Sequence, residues 1–180
     1  MKRLAAAVAL SALLAASAAQ AALKLGSPAP DFAAPAFLAG KPFTFKLAEA
    51  LKKGPVVLYF FPSAYTKGCD IEAHMFSEAA GDFKGQGATV IGVTAGKTDQ
   101  LEKYSADTAT CGGKFAVAAD GDLKVAKAYD ALFGGPVKLS NRTSYVIAPD
   151  GKVLHAYSDL NPSKHIDETL GALKAWRAAK

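Results

Sequence analysis

The chain alternates between short runs that are apolar at every position and longer stretches that are apolar at every third or fourth. Val56-Val57-Leu58-Tyr59-Phe60-Phe61 is an unbroken apolar run rich in β-branched and aromatic side chains, the pattern of a strand buried on both faces. Ala88-Thr89-Val90-Ile91-Gly92-Val93-Thr94 reads as a second buried strand. After Cys69, apolar residues at 73, 76, 79 or 80, and 83 have helical spacing, which predicts one helix running to Phe83. Residues 42–47 alternate as a short strand, and residues 47–53 predict one or two helical turns ended by Gly54-Pro55. Residues 98–107 predict a polar helix with Thr98 as its N-cap, residues 115–119 a weak strand and residues 123–132 a helix. Residues 142–148 and 153–157 flank Pro149-Asp150-Gly151-Lys152, a hairpin signal. Residues 164–178 predict a final helix whose Ile166, Leu170, Leu173 and Trp176 form one apolar stripe, a core-packing pattern. Ser27-Pro28-Ala29-Pro30 is extended, because proline disfavours helix at itself and just before. Strand–helix–strand–helix, then a hairpin and a helix, is the order of an α/β domain with a central mixed sheet flanked by helices.

The N-terminus stands apart from this pattern. Met1-Lys2-Arg3 is basic, residues 4–16 are dominated by Ala and Leu, and Ala19-Gln20-Ala21 is a small-x-small cleavage site. Residues 1–21 are therefore expected to be a secretory signal peptide, cleaved after Ala21 and too short to span a bilayer. Residues 22–180 are expected to form one domain, large enough to bury a core. The expected location is exported and periplasmic. Loss of Lys2 and Arg3 lowers the formal charge from +5 to +3, and the remaining charges are scattered. That pattern excludes a nucleic-acid-binding reading, and the mature chain is expected to have no membrane span.

Two cysteines, Cys69 and Cys111, leave three options: one structural bridge, one redox-active pair, or two separate thiols. Cys69 ends the turn Pro62-Ser63-Ala64-Tyr65-Thr66-Lys67-Gly68 between strand and helix. A helix N-terminus offers unpaired N–H groups and a dipole that favour an anion such as a thiolate. A peroxide-reducing cysteine needs a thiolate, a means of holding the peroxide in line, donors for the developing charge, and rescue of the sulfenic acid. Thr66, one turn before Cys69, can aim its hydroxyl at the sulfur or simply cap the helix. Pro62 has no N–H and can wall the pocket without competing for the anion. The amides of Gly68 and Cys69 are expected to face an incoming oxygen. No cation is supplied locally.

Here the residues resemble a family. Pro62-x-x-x-Thr66-x-x-Cys69 looks like the active-site signature of the peroxiredoxins, following a strand and opening a helix. Gly26-Ser27-Pro28-Ala29-Pro30-Asp31-Phe32, Tyr59-Phe60-Phe61-Pro62, Val90-Ile91-Gly92-Val93, the segment 120–129 and the segment 142–151 extend the likeness in order, over nearly all of 24–178. Cys69-x-x-Glu72 is similar to the subgroup related to the bacterioferritin-comigratory, or PrxQ, proteins. The resemblance implies a thioredoxin-like fold, a peroxidase step without metal or organic cofactor, and reduction of hydrogen peroxide or small organic hydroperoxides through a cysteine sulfenic acid. It implies Arg142 as the missing cation and Glu72 as its orienting partner, though Glu72 also simply suits a helix N-terminus. Tyr65 falls either over the pocket or on the surface. The implied partners are peroxide and a thiol reductant such as a thioredoxin-like protein or a small thiol, with the chain a monomer or homodimer. Many PrxQ proteins carry a resolving cysteine five residues after the first, and here that position is His74. Some relatives place it in or near the helix that precedes Cys111, so Cys111 is the candidate resolving thiol. Gly112-Gly113 beside it suggests a mobile loop.

His74 lies about 140° round the helix from Cys69, and the scattered His74, His155 and His165 read as surface residues. The alternative functions are an exported thioredoxin-fold thiol–disulfide protein, which wants Cys-x-x-Cys where residue 72 is Glu, and a copper carrier, which wants paired cysteines and a placed histidine. Asn141-Arg142-Thr143 matches a glycosylation triplet, read as chance because a glycan there would block Arg142.

Overall fold

The apolar run at 56–61 becomes an interior strand, and its two faces divide the core. The computed structural model describes residues 22–180, so the predicted signal peptide lies outside the described residues. In chain order the elements are β1 (Ala33–Leu38), β2 (Lys41–Lys46), α1 (Leu47–Leu51), β3 (Val56–Phe60), α2 (Lys67–Glu78), α3 (Ala80–Gly85), β4 (Thr89–Thr94), α4 (Leu101–Ala106), β5 (Ala116–Ala119), α5 (Lys124–Ala128), β6 (Thr143–Ile147), β7 (Val153–Ser158) and α6 (His165–Ala178). They build one seven-stranded sheet in the order β2-β1-β5-β4-β3-β6-β7. β3 pairs in parallel with β4 and antiparallel with β6, so the sheet is mixed, as expected.

Side chains alternate across a strand, and in β3 both faces are covered. Val56, Leu58 and Phe60 enter one apolar cluster with Phe45, Ile91, Tyr129 and Tyr145. Val57, Tyr59 and Phe61 enter the other with Phe76, Phe83, Tyr104 and Leu173. All six are fully buried, each contributing roughly 1.5–3 kcal/mol for a large apolar side chain. Tyr59 stacks on Phe76 with ring centroids 4.4 Å apart, which pins α2 to the sheet.

Several elements depart from the periodic pattern. β1 was not legible, because Ala33-Ala34-Pro35-Ala36 has little strand propensity. Pro35 sits opposite Thr44 in the hairpin with β2, outside the Ala36–Phe37 stretch that pairs with β5. The long helix after Cys69 breaks at Ala79 into α2 and α3, and Phe83 still packs on Phe76 at 5.6 Å. Thr98 does not cap a helix: it starts a short 3-10 turn after Lys97, and α4 follows at Leu101. α5 stops at Ala128, four residues short of the expected end, because Asp130 turns left-handed (φ 50°). In α6, Ile166, Leu170 and Leu173 are buried while Trp176 is only half-buried, beneath the Lys180 ammonium at 3.9 Å. No helix among the described residues is long and apolar enough to cross a membrane.

The Tyr59 hydroxyl is buried without a hydrogen-bond partner. Tyr59→Phe is therefore expected to keep the ring stacking and raise stability by about 1 kcal/mol, since an unsatisfied polar group is removed. The midpoint of urea unfolding reads the change, and a fall in that midpoint would contradict it.

Candidate active site

The turn after β3 is held by the end of β4. Thr94 Oγ1 donates to Pro62 O at 3.1 Å, and Ala64 N donates to Gly96 O at 3.4 Å. Gly96 lies so close that a Cβ there would stand 2.5 Å from both Pro62 O and Ser63 Cβ, so glycine is required. Tyr65 adopts a left-handed conformation (φ 52°), uncommon for a bulky residue. Its hydroxyl donates to Asp107 Oδ2 at 3.2 Å, and its ring meets Tyr104 edge-on at 5.1 Å. Tyr65 thus frames the turn from the α4 side.

Thr66 occupies the N-cap position of α2, yet its side chain makes no capping bond. Its hydroxyl donates to Ser63 O at 3.0 Å, which commits the proton and leaves the oxygen free to accept. Cys69 follows on the first turn, 2% exposed. Its amide donates to Thr66 O at 2.9 Å, and so is turned away from an incoming oxygen, contrary to expectation.

The cation arrives from the neighbouring strand. The β3–β6 register ends at Phe60 opposite Thr143, and Arg142 is the next residue. Ser140 Oγ donates to Phe61 O at 2.8 Å and fastens the approach. Arg142 Nη2 reaches Cys69 Sγ at 3.5 Å, Nη1 donates to Glu72 Oε2, and Nε donates to Leu160 O at 2.8 Å. Glu72 is one turn beyond Cys69 on α2 and fully buried. A Cβ on Gly68 would lie 3.2 Å from Arg142 Nη2, so the bare backbone there lets the guanidinium approach the sulfur.

Burial pushes the Glu72 carboxyl up to about 8, against the pull of the Arg142 guanidinium. Burial works against the Arg142 charge, and contact with Glu72 and Cys69 more than restores it. The buried guanidinium is held because Glu72 Oε2, Cys69 Sγ and Leu160 O each meet one of its nitrogens.

Cys111 does not join this constellation. It is a buried free thiol in the same apolar cluster as Cys69, which is also a free thiol. Burial pushes the Cys111 thiol well up, only partly offset by the Thr110 hydroxyl. The loop that carries it is tied by backbone hydrogen bonds. Thr110 N and Gly112 N both bond Asp107 O, Gly113 N bonds Ser105 O, and both glycines take left-handed angles that a tight turn requires. Tyr104 links the two thiols: its hydroxyl donates to Cys69 O at 3.0 Å, and its carbonyl accepts from Thr110 Oγ1 at 2.6 Å.

Four contributors were not legible in the sequence: Thr94 and Gly96 behind the turn, Tyr104 on the Cys69 carbonyl, and His165. His165 is fully buried, not on the surface, with Nδ1 3.6 Å from Glu72 Oε1. Burial pushes it down to about 4. No pattern could have marked it, because a single histidine before an apolar stripe looks the same inside or out. His74 is on the surface beside Glu78, and His155 is half-buried beside Glu168. The Asn141 side chain is half-buried and accepts from Arg142 N at 2.8 Å. A groove of about 840 Å³ lies elsewhere, lined by Phe43, Phe45, Phe83 and Phe115 with lysines at its rim. It contains no cysteine and none of the residues placed around Cys69.

The model of the AhpC/TSA family matches residues 25–156. Peroxiredoxin Bcp of Xanthomonas campestris pv. campestris is 30% identical over 153 residues, 82% of this chain and 92% of that protein. The chloroplastic peroxiredoxin Q of Sedum lineare is 34% identical over 145 residues, 74% of this chain and 75% of that one. The crystal structure of peroxidoxin BcpB from Mycobacterium tuberculosis superposes with a TM-score of 0.75 at 30% identity, over 85% of this chain and 97% of that one. The chain therefore belongs to the AhpC/TSA family, with peroxiredoxins of the Bcp and Q types among its relatives.

Proposed function

We propose that the protein is an exported thiol-dependent peroxidase that reduces hydrogen peroxide and small organic hydroperoxides at Cys69. The observation that carries this reading is the contact between Cys69 Sγ and Arg142 Nη2 at 3.5 Å, on the first turn of a helix. A cation and a helix N-terminus both favour the thiolate. The thiolate attacks one peroxide oxygen and the O–O bond breaks. The bonding electrons leave with the other oxygen, which takes a proton and departs as water or alcohol, and Cys69 becomes a sulfenic acid. Arg142 stabilises the departing oxygen as charge develops on it. Thr66, its proton held by Ser63 O, accepts from the peroxide hydroxyl and orients it. Pro62 walls the pocket, Tyr65 frames it, and Glu72 holds Arg142 in place.

Resolution comes when a thiol attacks the sulfenic sulfur, releasing water and forming a disulfide. A reductant such as a thioredoxin-like protein or a small thiol then returns two electrons and two protons. We assign the resolving thiol to Cys111. Its burial and its protonated state mean that the first turn of α2 and the 107–114 loop must open before the sulfurs meet, since bonded cysteines need Cα atoms within about 7 Å. Tyr104, tied to both segments, is the link that must yield. The signal peptide 1–21 directs the chain to the periplasm, where it works as a monomer or homodimer. The relatives that the chain matches, named peroxiredoxins and alkyl hydroperoxide reductase, favour this reading over a thiol–disulfide or copper-carrier protein.

Peroxide consumption with several thiol donors tests the reading. Cys69→Ser should abolish turnover with every donor, and Arg142→Met should lower it about 10²–10³-fold. Cys111→Ser should keep the first oxidation but lose the intramolecular disulfide, which mass spectrometry of peroxide-treated wild type should reveal. Unchanged turnover in Cys111→Ser with every donor would remove Cys111 from the cycle.

Gly68→Ala separates positioning from folding. The added methyl should push the guanidinium off the sulfur by a few tenths of an ångström and slow peroxide reduction by about threefold to tenfold. Helix propensity should meanwhile leave the unfolding midpoint unchanged or higher. Full activity in this variant would show that the Arg142 approach tolerates a side chain at 68.

A further inference from the structure

His165 opens α6 with its ring sealed in the interior, and the peroxide step described above leaves it without a role. Its Nε2 is 2.9 Å from Asp159 O. A carbonyl oxygen can only accept, so Nε2 carries the hydrogen and the neutral ring has a lone pair at Nδ1. Ser144 Oγ lies 2.8 Å from Nδ1. Glu72 Oε1 lies 3.6 Å from the same nitrogen, is buried, and has no hydrogen-bond partner, while Oε2 is taken by Arg142. The Ser144 hydroxyl can donate to Nδ1, so Glu72 Oε1 is the atom of this group left without a donor, and Nδ1 is the base nearest to it. A single proton relieves this, sitting on either atom.

Charge balance points the same way. With Cys69 ionised, Arg142 touches two potential anions, the thiolate and Glu72. If Glu72 is also ionised, one guanidinium serves two negative charges in the interior. If Glu72 and His165 hold a proton between them, the buried group of Cys69, Arg142, Glu72 and His165 is neutral.

We propose that Glu72 and His165 share one proton in the resting protein, and that His165 is thereby a positioning residue that reserves the Arg142 charge for the Cys69 thiolate. The functional meaning rests on the peroxidase reading; the shared proton itself does not. The surroundings suit it. Tyr157 of β7 faces the ring edge-on at 4.8 Å. The Asp159 carboxylate accepts from Asn161 N at 2.8 Å and Tyr157 OH at 3.3 Å. Glu168, one turn along α6, faces His155 at 3.1 Å. Asp159 and Glu168 favour a charged ring, whereas burial and Arg142 oppose it more strongly. Burial opposes charge on Glu72 and on His165 alike, so one proton held between them, rather than none or two, suits both. When that proton is lost, Glu72 ionises and competes with Cys69 for Arg142.

The test is the rate of Cys69 alkylation by iodoacetamide against pH, read as the mass of the modified peptide in the full chain. It needs no peroxide, so its outcome stands apart from turnover. Glu72→Gln mimics the protonated acid, because its oxygen can accept from Arg142 and its amide can donate to Nδ1. It should leave the alkylation midpoint where wild type has it. His165→Gln keeps a donor for Asp159 O but cannot hold the proton, so it should move the midpoint up by about one unit, a tenfold lower rate below it. In the Glu72→Gln background the same change should do nothing further. A midpoint lowered in Glu72→Gln alone would mean that Glu72 was ionised all along and would overturn the proposal. So would an equal His165→Gln effect in both backgrounds, which marks mere anchoring of the 159–160 segment, or no effect in either. Should His165→Gln fail to fold, the single Glu72→Gln variant still decides.

Discussion

The buried contact between Glu72 and Arg142 is the constraint around which the site is arranged. The guanidinium could not be buried alone, since an unpaired interior charge costs several kcal/mol, and the buried carboxyl without it would be an unsatisfied polar group. Glu72 is carried by α2 and Arg142 by the chain entering β6, so the contact fixes a helix against a strand from the distant half of the sequence. The guanidinium has a third anchor at Leu160 O, and the preceding carbonyl, Asp159 O, holds His165. One short segment after β7 therefore positions both groups behind the sulfur. Cys69 completes the ring of contacts from the first turn of α2.

The sheet makes that meeting possible. β3 is buried on both faces, and the same strand whose even residues pack one layer and odd residues the other ends where the Pro62 turn begins. Its antiparallel partner β6 brings Arg142 to that end, and its parallel partner β4 brings Thr94 and Gly96. A one-residue slip in the β3–β6 register would turn Arg142 to the opposite face of the sheet. Site geometry and core packing are thus one specification.

The two halves of the catalytic cycle ask different things of this arrangement. Attack on peroxide needs the folded first turn of α2, because the helix N-terminus, Thr66 and Arg142 converge only there. Joining Cys69 to Cys111 needs that turn and the 107–114 loop to part. The loop is tied by backbone bonds to Asp107 and Ser105, and Tyr104 bonds to both sides. The site is consequently ordered for the first step and must open for the second.

The pattern of apolar positions by itself determined the strands 56–61 and 88–94, the hairpin, the final helix and the placement of Cys69 at a strand-to-helix turn, because burial on one or two faces leaves a period in the chain. The resemblance carried by Pro62, Thr66 and Cys69 supplied Arg142 and Glu72 as candidates. β1 escaped because alanine and proline carry little period, and the break at Ala79 because both halves keep the same apolar face. What only the tertiary structure decided is which polar groups are sealed in together. It set Cys69, Arg142, Glu72 and His165 in one buried chain, turned the Cys69 amide to Thr66, and closed the loop around Cys111. Periodicity records that a residue is inside. It does not record which distant residue shares the space, since that depends on strand register and helix docking, and interior charges answer to their nearest neighbours.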